Sequence, residues 1–126
     1  MLQRTDAADA IDPLMRPFFE RSGLAALRLG GRALLPIVQG GMGVGVSAHK
    51  LAGNVASLGG VGTISSVDLR RHHPDLMERT QGLASRPGMD ADTKAVINAA
   101  NLEAIGREIR AARLLAEGRG LLAINV

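Results

Sequence analysis

The chain has 126 residues, 46% of them hydrophobic and 21% charged, which is typical of one globular domain and not of a disordered chain. The absence of cysteine excludes disulfides and thiolate metal sites, and no apolar run approaches the ~20 residues that a membrane helix needs. The net charge of +3 comes from scattered arginines, and aromatic residues make up only 2%, so we expect no nucleic-acid partner. The N-terminus lacks the apolar core of a secretory signal, so we expect a cytoplasmic protein without membrane association.

The first half of the chain indicates a lead-in followed by a strand and a turn. We expect residues 1–32 to form the N-terminal lead-in. Residues 33–39 are mostly apolar and bounded by glycine, which predicts a short buried strand. Residues 40–45 then form a glycine-rich turn, and Ser47 is a favourable residue type for the N-cap of a following helix.

A helix and a second strand are predicted directly after this turn. Leu51, Val55 and Leu58 recur at helical spacing, and Gly59-Gly60 supplies a stop. Residues 61–65 then read as a short strand of small and apolar residues. Residues 33–65 therefore predict strand, helix and strand, at about the length of one parallel βαβ unit.

The second half predicts two short helical pieces, a loop, a long helix and a third strand. Residues 66–71 and 74–80 each have the length of a helical turn or two, and residues 82–90 are loop-like. The long helix is expected to begin at about Thr93 or Asn98 and to end at Glu117.

We expect an apolar stripe along this long helix and a solvated face opposite to it. The predicted stripe consists of Leu102, Ile105, Ile109 and Ala112, extended by Leu115 and Ala116. The predicted solvated face consists of Arg107, Glu108, Arg110 and Arg113. Residues 121–126 follow as a buried strand with apolar residues on both faces, as in a covered parallel sheet.

One interpretation of the glycine turn is a dinucleotide-binding fingerprint. Residues 43–48, GVGVSA, match the pattern G-x-G-x-x-A, and Asp68 lies where a ribose-binding acid would be expected. However, Gly40, Gly41 and Met42 intervene between the strand and this pattern, so the turn is longer than the fingerprint requires. A Rossmann-type NAD(P)-binding half-domain is therefore the alternative interpretation.

The stretch PIVQGGMGVGVS at residues 36–47 resembles the start of the nitronate monooxygenase family, formerly called 2-nitropropane dioxygenases. The similarity continues through LAGNVASLGGVGTISS at residues 51–66, and AINV at residues 123–126 resembles the third strand of the family. These enzymes are FMN-dependent (β/α)8 barrels. The resemblance implies that residues 33–126 are the N-terminal part of such a barrel, with its first three parallel strands and connecting helices, truncated after the third strand.

The resemblance also implies a cofactor site and a reaction. The implied FMN contacts are Gly40, Gly41, Met42 and Asn125, with Thr63, expected at the end of the second strand, as a weaker candidate. The implied reaction is the oxidation of an alkyl nitronate by dioxygen. No catalytic residue is assigned, because the catalytic histidine of the family lies on a later strand.

The three histidines and the acidic residues of the long helix are given structural interpretations. We expect His49 to be exposed in the first turn of its helix, and His72 and His73 to lie in a solvated loop. Glu103, Glu108 and Glu117 lie among arginines, which favours surface ion pairs. A further hypothesis is a non-catalytic fragment that folds only with a complementary chain, since three strands alone would leave sheet edges open.

Overall fold

The computed structural model describes residues 10–83 and 87–126, and these form an α/β structure. The helices are α1 (Arg16–Ser22), α2 (His49–Leu58), α3 (Pro74–Arg79) and α4 (Ala91–Ala116), and a short 3₁₀ helix spans Leu69–His72. The strands are β1 (Leu27–Leu29), β2 (Arg32–Leu34), β3 (Val61–Ser65) and β4 (Leu121–Asn125). Among the described residues, no helix combines the length and the apolar character that would be needed to cross a membrane.

Strands β1 and β2 form an antiparallel hairpin in which Leu29 lies opposite Arg32. Gly30 and Gly31 connect them with φ values of 58° and 75°, the positive values that a tight two-residue hairpin turn requires. The prediction of one strand over residues 33–39 is wrong, because residues 33 and 34 belong to this hairpin. Pro36 interrupts the run, since proline has no N–H to donate to a ladder.

The remainder of the predicted first strand, residues 37–39, lies parallel to β3. The N–H of Val61 donates to the carbonyl of Ile37, and the N–H of Gln39 donates to the carbonyl of Val61, both at 2.9 Å. Strand β3 also pairs in parallel with β4, so that Ser65 lies opposite Asn125. The predicted βαβ unit is thus found only in part, because residues 37–39 join β3 through an isolated parallel bridge between Val38 and Val61 and not as a full strand. The sheets of the described residues do not close into a barrel.

The hairpin packs against the amino ends of these parallel strands. Leu34 forms a buried cluster with Val61, the first residue of β3, and Leu121, the first residue of β4, packs against this cluster. The glycine-rich turn follows residues 37–39 and therefore lies at the opposite, carboxyl end of the sheet.

Helices α2 and α4 cover one face of the sheet through small residues. A Cβ on Gly62 of β3 would lie only 1.8 Å from the carbonyl oxygen of Ala52, so α2 and β3 are in close backbone contact. A Cβ on Gly53 would lie 3.1 Å from the carbonyl oxygen of Ala112 on α4. The main core cluster consists of Ala52, Ile64, Leu69, Leu76, Ala104 and Ala112.

The long helix begins at Ala91, slightly earlier than predicted, because Asp90 caps it by accepting the N–H of Thr93 at 2.8 Å. Its predicted apolar stripe is partly wrong. Leu102 is 69% exposed, whereas Ile105 and Ile109 pack against the core. The buried face instead consists of Ile97, Ala100, Ala104, Glu108, Ala112 and Ala116. Small side chains on this face allow α2 to approach closely.

The structures of the remaining segments agree largely with the predictions made from the sequence. The stretch 66–71 contains the start of the 3₁₀ helix, and α3 occupies most of residues 74–80. The described parts of the predicted loop, residues 82–83 and 87–90, contain no helix or strand, and residues 84–86 lie outside the described part. Of the predicted lead-in, residues 1–9 also lie outside it.

Candidate functional site

The glycine turn is attached to β3 by the side-chain amide of Gln39. Its Oε1 accepts the N–H of Thr63 at 3.0 Å, and its Nε2 donates to the Thr63 carbonyl at 3.1 Å. The same Nε2 also donates to the carbonyl of Gly40 and, at 2.9 Å, to Ser47 Oγ. The side-chain amide of Gln39 therefore continues the bonding to β3 beyond the last backbone ladder bond, which the Gln39 N–H makes, and it fixes the start of the turn.

The buried hydroxyl of Ser47 closes the turn from its other end. Its Oγ accepts the N–H of Met42 at 2.8 Å and donates to the carbonyl of Gly40 at 3.1 Å. Its backbone N–H donates to the Met42 carbonyl at 2.9 Å. The prediction that Ser47 caps α2 is wrong, because Ala48 occupies the N-cap position and the Ser47 side chain bonds inside the turn.

Four of the five predicted FMN contacts come together at the carboxyl end of the sheet. A Cβ on Gly41 would lie 2.6 Å from the side-chain atoms of Asn125, so the bare turn backbone touches this amide. A Cβ on Gly40 would meet nothing within 4 Å, and Met42 is 47% exposed. The group formed by Gly40, Gly41, Met42 and Asn125 is called the turn site below.

Thr63 has a different position from the one predicted. It is the middle residue of β3 and not its end, and it is only 9% exposed. Its backbone N–H and carbonyl are both bound by the Gln39 side chain. Thr63 therefore lies beneath the turn site and supports it.

The second half of the turn packs against the segment after β3. A Cβ on Gly43 would lie 3.4 Å from Ser65 Oγ. A Cβ on Gly45 would lie 1.8 Å from His72 Nε2, and this nitrogen lies 3.2 Å from the carbonyl oxygen of Val44. The imidazole of His72 thus fills the space over a glycine, although the ring is otherwise exposed.

A buried carboxylate lies at the N-terminus of α2. Glu108 on α4, with 4% of its surface exposed, accepts the backbone N–H of His49 at 2.7 Å and contacts His49 Nδ1 at 2.6 Å. Its other oxygen lies 3.0 Å from His73 Nε2, an ion-pair contact without hydrogen-bond geometry. Glu108 is therefore not the surface residue that was predicted, and His49 and His73 are half-buried partners of it.

The contacts of Glu108 favour its ionised form. Burial by itself raises the pKa of this carboxyl, but the hydrogen bonds from His49 and the attraction of His49 and His73 outweigh burial. The net result is that the pKa of Glu108 lies below its ordinary value. A negative charge is thereby fixed at the positive end of the α2 dipole.

Asp68, the residue proposed to bind a ribose in the dinucleotide interpretation, is engaged by arginines. Its carboxylate accepts Arg71 Nε at 2.8 Å and lies 3.5 Å from Arg70 Nε. Burial raises the pKa of Asp68, but the hydrogen bond from Arg71 and the charges of both arginines lower it overall. In the dinucleotide fingerprint this carboxylate would bind the ribose of the ligand, but in this chain Arg71 already occupies it.

Three residues at the site were missed by the sequence interpretation or given the wrong role. Gln39 and Ser47 are polar residues that flank the glycines, and this flanking was the available signal for a hydrogen-bonded turn. Glu108 continues a series of alanines at every fourth residue, Ala100, Ala104, Ala112 and Ala116, which signals one buried face. The described residues contain no group of three His, Cys, Asp or Glu side chains arranged to hold a metal ion.

No protein-family model, no curated protein and no solved structure matches this chain significantly.

Proposed function

We propose that the described strands form one wall of an FMN-dependent (β/α)8 barrel of the nitronate monooxygenase type, with the turn site facing the flavin. The observation that carries the proposal is the contact between the bare backbone of Gly41 and the side chain of Asn125. These two residues come from separate parallel strands, and ligand sites of such barrels lie at the carboxyl ends of the strands.

The order of the strands supports the proposal. Residues 37–39 lie beside β3, and β3 lies beside β4, all in parallel, which is the order of three consecutive barrel strands. The hairpin of β1 and β2 covers the amino ends of these strands, opposite the turn site. The hairpin therefore does not cover the turn site.

The turn site fits a flat, partly polar ring. Gly40 and Gly41 present backbone without side chains, and open space surrounds the Cβ position of Gly40. Met42 offers an exposed, polarisable side chain, and Asn125 offers an exposed amide that both donates and accepts hydrogen bonds. Gln39 and Ser47 fix the turn from below, so this surface is preorganised before a ligand arrives.

A bound FMN would supply the redox chemistry, namely removal of an electron pair from a carbanion-like alkyl nitronate and its transfer to dioxygen. The residues described here would bind and orient that group. A closed barrel has eight strands, whereas the described residues contribute β3, β4 and the bridged segment 37–39. Nitronate oxidation is therefore proposed for an assembled barrel and not for these strands alone.

The dinucleotide alternative is less favoured by the geometry. In that fold the pyrophosphate binds at the N-terminus of the helix after the glycines. Here the carboxylate of Glu108 already accepts the His49 N–H at the N-terminus of α2. The ribose-binding candidate Asp68 is paired with Arg71. Binding a dinucleotide would require both carboxylates to be displaced.

The experiment is a titration of FMN with the chain, in which binding is measured as quenching of the flavin fluorescence. NAD⁺ is then added as a competitor. Gly41→Ala is the test variant, because the added Cβ would collide with Asn125. Gly106→Ala is the matched control, since its Cβ would lie 3.4 Å from the flexible side chain of Arg110 on α4, away from the turn.

We expect weak FMN binding that NAD⁺ does not displace, reduced about tenfold by Gly41→Ala, which corresponds to the loss of roughly 1.4 kcal/mol. Gly106→Ala should bind FMN as the wild-type chain does. Equal affinity of both variants, or displacement of FMN by NAD⁺, would remove the support for a flavin at the turn site.

A further inference from the structure

A cavity lies at the amino end of β4, away from the turn site. Its volume is about 470 Å³, and its wall includes three arginines, Arg32 of β2, Arg113 of α4 and Arg119 of the following loop. Leu121 and Leu122 add an apolar part to the wall, and no acidic residue lines the cavity. Such a lining is electropositive and partly apolar.

Arg32 is held at this cavity by the end of α4. Its two terminal nitrogens donate to the carbonyl oxygens of Gly120 and Gly118, both at 2.5 Å. A guanidinium carries five N–H donors, so these two bonds leave donors available. Its partners are carbonyl oxygens, and no carboxylate of the described residues forms an ion pair with Arg32.

Arg113 and Arg119 differ in how far they are neutralised. Arg113 is exposed and has no ion-pair or hydrogen-bond partner among the residues that the structure describes. Arg119 Nη1 lies 3.0 Å from a carboxylate oxygen of Asp12 and 3.6 Å from one of Glu117. Among the described residues, therefore, no carboxylate forms an ion pair with two of the three arginines that line the cavity, Arg32 and Arg113.

We propose that this cavity, called the arginine cavity, binds the phosphate group of a small phosphorylated molecule whose apolar part packs against Leu121 and Leu122. Guanidinium groups donate several hydrogen bonds to one oxyanion, and phosphate presents more acceptor oxygens than a carboxylate does. Uncompensated positive charge around a concave surface also concentrates anions there. The proposal is independent of the flavin assignment, because the cavity and the turn site lie at opposite ends of β4.

The probe is inorganic pyrophosphate, added at constant ionic strength to the ¹⁵N-labelled chain while amide chemical shifts are recorded. The expected result is a saturable shift of the Gly118, Gly120 and Leu121 amides. Arg113→Gln is the test variant, because this exposed side chain makes no ion pair or hydrogen bond with any described residue. Arg110→Gln is the matched control, since Arg110 is exposed on the same helix and does not line the cavity.

Loss of Arg113 should weaken pyrophosphate binding about tenfold, the effect of one charge-assisted hydrogen bond, while Arg110→Gln leaves it unchanged. Succinate, a dicarboxylate, should bind more weakly than pyrophosphate. The proposal is overturned if no saturable shift occurs, if both variants weaken binding equally, or if succinate binds as tightly as pyrophosphate.

Discussion

Replacing Glu108 by glutamine tests the buried ion-pair cluster that joins α4 to the N-terminus of α2. The carboxylate makes two contacts with His49, at 2.7 and 2.6 Å, and one with His73 at 3.0 Å. Glutamine has nearly the same shape and can still accept the backbone N–H of His49, but it carries no charge. The substitution therefore removes the electrostatic contribution without opening a cavity.

The expected loss follows from the number and exposure of these contacts. A hydrogen bond to a charged group contributes about 1.5–3 kcal/mol, and the cost of burying the carboxylate offsets part of this. The side chain of His49 is 33% exposed, so solvent screens its contribution. We expect Glu108→Gln to reduce the free energy of unfolding by about 2 kcal/mol near neutral pH.

The effect should also depend on pH in one direction. The folded-state pKa of Glu108 lies below the ordinary value of 4.5, so the ionised carboxylate stabilises the fold fully above that value. This stabilisation is lost as the pH falls through the folded-state pKa. The decline in stability below about pH 5 should accordingly be shallower in Glu108→Gln than in the wild-type chain.

The assay is urea denaturation monitored by circular dichroism, because the chain contains no Trp or Tyr that would give a fluorescence signal. Glu78→Gln serves as the control, since Glu78 is exposed on α3 and should change stability by less than about 0.5 kcal/mol. An effect of Glu108→Gln no larger than that of the control, or an unchanged acid limb, would refute the assignment of a stabilising buried carboxylate.

Three further substitutions test the turn and the core by thermal denaturation. Ser47→Ala removes the buried hydroxyl that bonds Met42 and Gly40, and should cost about 1–3 kcal/mol; wild-type stability would contradict that role. Gly62→Ala places a Cβ against the carbonyl of Ala52 and should cost about 3 kcal/mol or more, so a neutral result would contradict the close packing of α2 on β3. Leu102→Gln should change stability by less than about 0.5 kcal/mol, because Leu102 is exposed. A large loss would indicate that Leu102 lies on the buried face of α4, as the sequence predicts.

The order of elements was predictable where glycine and periodicity agreed. The helix α2 ends at Leu58 with Gly59 as its C-cap, as expected, because Gly59 adopts a φ of 108° that other residues rarely adopt. The strands β3 and β4 follow in the same way from the small and apolar residues of the stretch 61–65 and from the apolar run of residues 121–126. The strand over residues 33–39 was predicted wrongly because composition alone could not show that Pro36 divides the run between two partners.

The buried face of α4 was harder to predict because residue size, and not hydrophobicity, decides it. Ala104 and Ala112 are buried because α2 approaches closely, whereas the larger Leu102 remains exposed on another face. Glu108 is buried because two histidines, distant in sequence, arrive from α2 and the segment before α3. Such pairing depends on tertiary contacts that a sequence pattern does not encode locally.

The candidate site likewise contains some residues that the sequence could identify and others whose roles depend on tertiary contacts. The glycines and Asn125 were identified from the resemblance, and their contact follows from two parallel strands ending at one edge. The supporting roles of Gln39 and Ser47 were not predicted, because both depend on hydrogen bonds to backbone brought close only by folding. Thr63 was expected at a strand end, but β3 continues to Ser65.

The most direct test of the flavin assignment is a map of where FMN binds on the ¹⁵N-labelled chain. The account predicts that added FMN shifts the backbone amides of Gly40, Gly41 and Met42 together with the side-chain amide of Asn125, and that NAD⁺ leaves them unchanged. Shifts confined to other parts of the chain, or a response of residues 43–48 to NAD⁺ instead, would contradict a flavin at the turn site.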